Sequence, residues 1–270
     1  MSTRKLTTNL KFRPLPPILV AALLCTAQSI ATPCSGDENE TIPVLIEASI
    51  SLEWDQTTGV YTADGDASVK HGDKSLSGNK IIANYDPDTI ERDLSRILAT
   101  GAVTYTDNDR VARGAKIDYD IESETYVLDG PEAMIDGPHG IMKAQKKITY
   151  DGRDETKVRV VGIGNASYVG GDGRVVEGEH VVAFIDATGR VTLIHSDGNA
   201  RVVTPKGVIA HANRLDYTAA SDRAELFGNV EIMEGENIIR GARAEIDFTK
   251  DISRLLSDNS GKRVTGVLNQ

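Results

Sequence analysis

A two-faced segment recurs along this chain about every thirty residues, and that recurrence limits the fold more than any other feature. The clearest copy is Asp222 to Phe248, DRAELFGNVEIMEGENIIRGARAEIDF. Around Gly228 it reads apolar, any, Gly, any, apolar, any, apolar, with Leu226, Val230 and Ile232 in one parity. The pattern returns at Ala63-Gly65-Ala67-Val69, Ala99-Gly101-Val103-Tyr105 and Gly162-Gly164-Ala166-Tyr168. It returns again, with Ser196 in the first place, at Gly198-Ala200-Val202, and in a poorer form around Gly130, where Pro131 breaks the alternation before Ala133 and Ile135. Successive glycines lie 36, 29, 34, 34 and 30 residues apart.

A second signature follows each glycine: a small or aliphatic residue, any residue, then a ring. It stands at Ala83-Asn84-Tyr85, Ile117-Asp118-Tyr119, Ile148-Thr149-Tyr150, Val182-Ala183-Phe184, Leu215-Asp216-Tyr217 and Ile246-Asp247-Phe248. Turn residues follow most copies, as in Asp86-Pro87-Asp88 and Asp151-Gly152-Arg153. Alternation with period two indicates strands with one wet face and one buried face. Only Pro87 to Leu98 admits a short helix, and the neighbouring repeats demand a strand there, rising into Ile97 and Ala99. Each repeat is therefore two strands, and the chain is all-β. A sandwich, a barrel or a solenoid would bury the apolar face. A glycine at the same point of each repeat marks a bend or bulge, which folds the sheet along a line into a V-shaped trough.

The first 31 residues differ from the rest. Arg4, Lys5, Lys11 and Arg13 precede a nearly uncharged apolar run, Leu15 to Ala31, that ends in Ser29-Ile30-Ala31. This predicts a secretory signal peptide cleaved after Ala31, with an uncleaved anchor as the alternative. Residues 32–41 read as a flexible segment. Cleavage would remove Cys25, leave Cys34 alone and exclude an internal disulfide. It would also remove four basic residues and no acidic one, leaving 26 Lys and Arg against 40 Asp and Glu, a formal charge of −14 in place of −10. An acidic exported domain excludes nucleic acid as a partner.

No catalytic or cofactor signature stands out. Histidines at 71, 139, 180, 195 and 211 have no metal-ligand spacing, so no metal or cofactor is expected. Gly162-Ile163-Gly164-Asn165 imitates a dinucleotide loop without the helix that such a loop requires. Outward carboxylates such as Glu231, Glu245 and Asp247 read as a solvated sheet face. A carboxylate pair for glycoside hydrolysis could hide among them, so a secreted β-solenoid enzyme acting on polysaccharide and a structural envelope protein both remain as alternative readings.

Ile46 to Val69, Gly101 to Tyr119, Leu226 to Phe248 and Ser253 to Leu268 resemble the LptA/OstA-like domain family of periplasmic lipopolysaccharide transport. The resemblance spans about residues 42–268. It implies a twisted, open-ended β-jellyroll, one unit or two in tandem divided near residue 155. It also implies a non-enzymatic periplasmic protein that carries or bridges lipopolysaccharide from inner to outer membrane. Edge strands, here Val44 to Trp54 and Arg263 to Leu268, would pair with like-folded inner-membrane LptC-type and outer-membrane LptD-type domains, or head to tail with a second copy. An uncleaved leader would instead suit an LptC-like anchored component. The expected trough lining for lipid A acyl chains is Val69, Val103, Ile117, Tyr119, Val182, Phe184, Val202, Leu215, Val230, Ile232, Ile246 and Phe248, with Tyr85 beside them.

Overall fold

A computed structural model describes residues 43–90, 92–154, 156–257 and 263–267. The leader, residues 32–41, both cysteines and Leu268 lie outside the described residues. The described chain is all-β apart from one short 3-10 turn, Ala219–Ser221. Its eighteen strands form one antiparallel sheet. They are β1 (Leu45–Glu47), β2 (Ser51–Asp55), β3 (Val60–His71), β4 (Lys74–Tyr85), β5 (Leu94–Asp107) and β6 (Arg110–Asp120). Then come β7 (Thr125–Asp129), β8 (Ala133–Gly137), β9 (Gly140–Ala144), β10 (Lys147–Asp151), β11 (Lys157–Gly170) and β12 (Val175–Asp186). The series ends with β13 (Val191–Val203), β14 (Ile209–Thr218), β15 (Arg223–Glu234), β16 (Asn237–Asp247), β17 (Ile252–Leu256) and β18 (Thr265–Val267). Pro87 to Leu98 contributes a turn and the start of β5, so the strand reading holds there.

The short strands are halves of long bent ones. β7 pairs with the second half of β6 and β8 with its first half, so together they make a single bent strand broken at Gly130-Pro131. β9 and β10 flank β11 in the same way, while β1 with β2, and β17 with β18, form the two edges. The whole sheet is thus a meander of long strands, each bent once. Pairing of β10 with β11 carries the sheet past residue 155 without interruption.

The bend is built by a pair of residues rather than by glycine alone. Gly65-Asp66, Gly101-Ala102, Gly164-Asn165, Gly198-Asn199 and Gly228-Asn229 all hold positive φ, from +40° to +85°. At each pair the register slips, so that two residues on the bent strand oppose one on the next. Glycine tolerates this region freely, and Asn and Asp tolerate it better than other side chains. The slip keeps parity on the glycine-bearing strand, where Ala99, Val103 and Tyr105 are all buried. On the following strand it shifts parity by one, so that burial passes from Leu76 to Ile81, Ala83 and Tyr85. Space also demands glycine at 101, where a Cβ would lie 2.8 Å from the Asn79 Cβ of β4.

The two arms of the folded strands bury their inner faces in one cluster of Val, Ile, Leu, Ala and Tyr side chains. Ile117, Leu128, Ile148, Leu215 and Leu226 are fully buried, each contributing about 1.5–3 kcal/mol. Among the described residues, Ser196 is the buried polar exception. It donates its hydroxyl to the Glu177 carbonyl at 2.7 Å, beside the slip in register between β12 and β13. The result is a twisted β-jellyroll whose two ends are open sheet edges.

Gly101→Ala should lower unfolding free energy by about 2–3 kcal/mol, combining left-handed strain with the Asn79 clash. Gly207→Ala, at φ +85° with nothing within 4 Å of the added carbon, should cost only about 1 kcal/mol. Urea denaturation of both variants checks this. Equal losses would show that crowding at the bend contributes nothing.

Candidate functional site

The hairpin turns at the free ends of the arms form two rims. The near rim carries the turns after β3, β5, β8, β11, β13 and β15, and the far rim those after β2, β4, β6, β10, β12, β14 and β16. Side chains from the near rim reach across to the far rim and clasp the fold. Arg110 donates to the Tyr150 hydroxyl at 2.6 Å, with its guanidinium 4.8 Å above the ring. The His139 ring lies against Gly189, where an added Cβ would come within 3.2 Å of it. Arg174 pairs with Asp222 at 3.0 Å and packs 4.1 Å over Phe248 and 4.7 Å over Tyr217. Lys206 pairs with Asp251. A cation held against rings out of water is worth about 1–2 kcal/mol, more than an exposed ion pair.

Between the first two clasps the arms stay apart. They leave a cavity of about 520 Å³ with an apolar floor of Ile135, Met142, Val158, Val160, Ala183, Ile185 and Val191, and walls of Tyr150 and Tyr168. Its rim is polar, with Arg110, Glu124, His139 and Asp186. A second cavity of about 270 Å³ shares Pro138, His139, Tyr168 and Val191 and extends towards Arg174 and Tyr217. The larger volume falls in the range of small-molecule sites. On the other side of Tyr150 the space is filled by rings. Tyr150 stacks on Tyr126 at 4.7 Å, and Tyr126 meets Tyr105 and Tyr119 edge-on.

Most of the expected lining faces inward. Val69, Val103, Ile117, Tyr119, Val202, Leu215, Val230, Ile232 and Ile246 are buried, and Phe248 is half-buried against the core. Val182 and Phe184 correct the expectation, because they lie on the outer face. The parity shift across the bend of β12 turns Val181 and Ala183 inward, and Ile185 takes the place that a ring holds in the other copies. Phe184 instead meets His195 edge-on at 5.9 Å and lies under Lys157. None of the twelve expected residues lines the larger cavity; the ten that face inward stand where the arms pack against each other. Ile135 and Met142 come from the poorer copy around Gly130, and only the weakness of that copy hinted that the arms separate there. Among the described residues, no group of His, Cys, Asp or Glu side chains could hold a metal ion.

Burial and the neighbouring Asp172 carboxylate push the Tyr168 phenol up to about 12 from its ordinary 10.0. Burial likewise raises Tyr105 and Tyr126. A phenol that holds its proton more tightly in the folded state stabilises the fold fully below pH 10 and loses that contribution as pH rises towards 12. Absorbance at 295 nm should therefore show late ionisation of buried tyrosines that coincides with unfolding, and Tyr168→Phe should flatten the alkaline loss. Reversible ionisation of Tyr168 near pH 10 would refute its burial at the cavity wall.

None of the curated proteins compared matches this chain. Among solved structures, it is similar to the crystal structure of LptH from Pseudomonas aeruginosa. That protein is described as the LptA homologous periplasmic component of the conserved lipopolysaccharide transport device. Identity is 12% over 85% of this chain and 96% of that one, at a TM-score of 0.22. The family assignment rests instead on sequence: the model of the LptA/(LptD N-terminal domain) LPS transport proteins matches residues 46–156 and again 154–252. Two successive matches cover most of the chain and meet where β10 passes into β11, and the chain belongs to the LptA/(LptD N-terminal domain) family of LPS transport proteins.

Proposed function

We propose that this protein works in the periplasm and carries lipopolysaccharide between the inner and outer membranes, holding acyl chains within the folded sheet. The single observation that carries the reading is the apolar-floored cavity of about 520 Å³ between the rims, in a chain of a lipopolysaccharide transport family. Each CH₂ sheltered from water is worth about 0.8 kcal/mol, so a few chain segments suffice for binding. The polar rim keeps a sugar and phosphate head in solvent, where Arg110 and His139 stand. No catalytic step is part of this proposal.

The fold is proposed as one elongated jellyroll made of two family-length units that share a continuous sheet. Its edges, β1 with β2 and β17 with β18, carry backbone groups suited to strand addition by LptC-type and LptD-type domains. Exposed Leu52, Trp54, Ile252 and Val267 support these edges as places of contact.

Photo-crosslinking residues placed at Met142 and at Val160, both in the cavity lining, should capture lipopolysaccharide in envelope preparations. The same residue at Val182 or Phe184 should not. Labelling confined to the outer positions, or purified protein free of lipopolysaccharide, would remove the transport reading.

A further inference from the structure

The two cavities lie along one pair of facing rows. On the arm that ends in the near rim, cross-strand neighbours run Ala112, Ile135, Met142, Tyr168, Val176 and Val202, all buried. Ile135 and Met142 line the larger cavity and Val176 the smaller, so Tyr168 is the ring between them. On the other arm the row runs Tyr150, Val160, Ala183, Ile194 and Tyr217. It passes from the larger cavity at Ala183 to the smaller at Ile194 with no ring between. One floor is thus continuous, and the interruption comes from the arm that carries Tyr168.

Of the residues that line both cavities, Pro138 and His139 are exposed at the rim and Val191 is half-buried on the continuous floor. Tyr168 is the buried one, and the surroundings are cut to its shape. Its hydroxyl donates to the His139 carbonyl at 2.9 Å, and a Cβ on Gly140 would run into that hydroxyl. The repeat itself does not demand a ring here. The same place after the other bend glycines holds Val69, Tyr105, Val202 and Ile232. Tyr105 belongs to the ring pile that closes the opposite end of the larger cavity, behind Tyr150.

We infer that Tyr168 is the end stop of the acyl-chain site: it fixes the longest chain that the larger cavity admits, and without it a chain would run on into the smaller one. The inference rests on the proposed binding of acyl chains and deepens it. An apolar cavity of about 150 Å³ holds one benzene, so about 520 Å³ holds on the order of twenty carbons, one fatty acyl chain rather than a bundle. Arg110, whose hydrogen-bond partner is the neutral Tyr150 phenol, stands at the Tyr150 end. An anionic head placed there directs the tail along the rows, across strands about 4.8 Å apart, towards the Tyr168 ring. Beyond that ring, about 270 Å³ would take roughly ten carbons more, up to Tyr217 and the Arg174 clasp.

The test uses the full chain and straight-chain saturated fatty acids of increasing length, each displacing a fluorescent fatty acid. Affinity for wild type should rise about fourfold per CH₂ and stop rising once the tail meets Tyr168. Tyr168→Val, the residue that two other copies hold at this place, should move that limit longer by at least about four carbons. Tyr168→Phe, which keeps the ring, should leave the limit where it is. Adding Val176→Phe to Tyr168→Val fills the smaller cavity and should cancel the gain. A limiting-length chain with a photoreactive terminal carbon should label wild type at Tyr168. Urea denaturation establishes that each variant is folded. Wild type that binds no fatty acid, shows no limit or is labelled away from Tyr168 would overturn the inference, as would a folded Tyr168→Val with the wild-type limit. Lipopolysaccharide capture at Met142 reports the transport reading separately: a limit that moves without capture upholds the end stop and counts only against transport, and capture with an unmoved limit does the reverse.

Discussion

Everything in this molecule depends on a pair of consecutive residues in left-handed conformation at the middle of a long strand. Gly101-Ala102 and its counterparts put two residues opposite one, and the sheet must bend there. Because neighbouring strands bend at neighbouring points, local kinks add up to a single crease. The crease brings the two arms face to face, and only then can Ile117 and Leu215 lose all contact with water. The backbone strain is offset by apolar burial that a flat sheet of the same composition could not achieve.

Closure needs a second device, because arms joined only at a crease would splay. Arg174, held between Phe248, Tyr217 and Asp222, shows how a charged residue can serve at a nearly dry position: its rings supply packing and its carboxylate supplies balance. Where the clasps are widely set and the inner residues do not meet, a cavity opens. The tyrosine pile of Tyr105, Tyr119, Tyr126 and Tyr150 bounds that space on one side, and Tyr168 stands between it and the smaller cavity.

The strands, the repeat and most inward positions were legible in the sequence because each depends on neighbours a few residues away. Period-two alternation places Val230 and Ile232 without any knowledge of the other arm. It fails at Val182 and Phe184 because the slip belongs to a pair of strands: the shift of β12 follows from the Gly164-Asn165 pair in β11, and β12 read alone suggests that its ring points inward. Ser196 looked like a flaw in its repeat and proved to be the donor that satisfies a carbonyl beside a bulge. The clasps left no such trace, and the cavity left only the weak copy around Gly130. Arg110 and Tyr150 stand 40 residues apart, and their meeting depends on the stagger between the arms, which is a property of the closed sheet and of no single segment.

The nested slips also act as a ruler. The bend glycine of one strand is seated against the lone residue of the strand before it, as Gly228 is against Asn213 and Gly101 against Asn79. Glycine-bearing and receiving strands therefore alternate, and a single added strand would set like beside like and lose the crease. Growth or trimming of such a molecule proceeds by whole hairpins, in steps of roughly 10 Å at about 4.8 Å per strand. A chain of this kind can match a fixed gap by copy number, with no residue of the repeat redesigned.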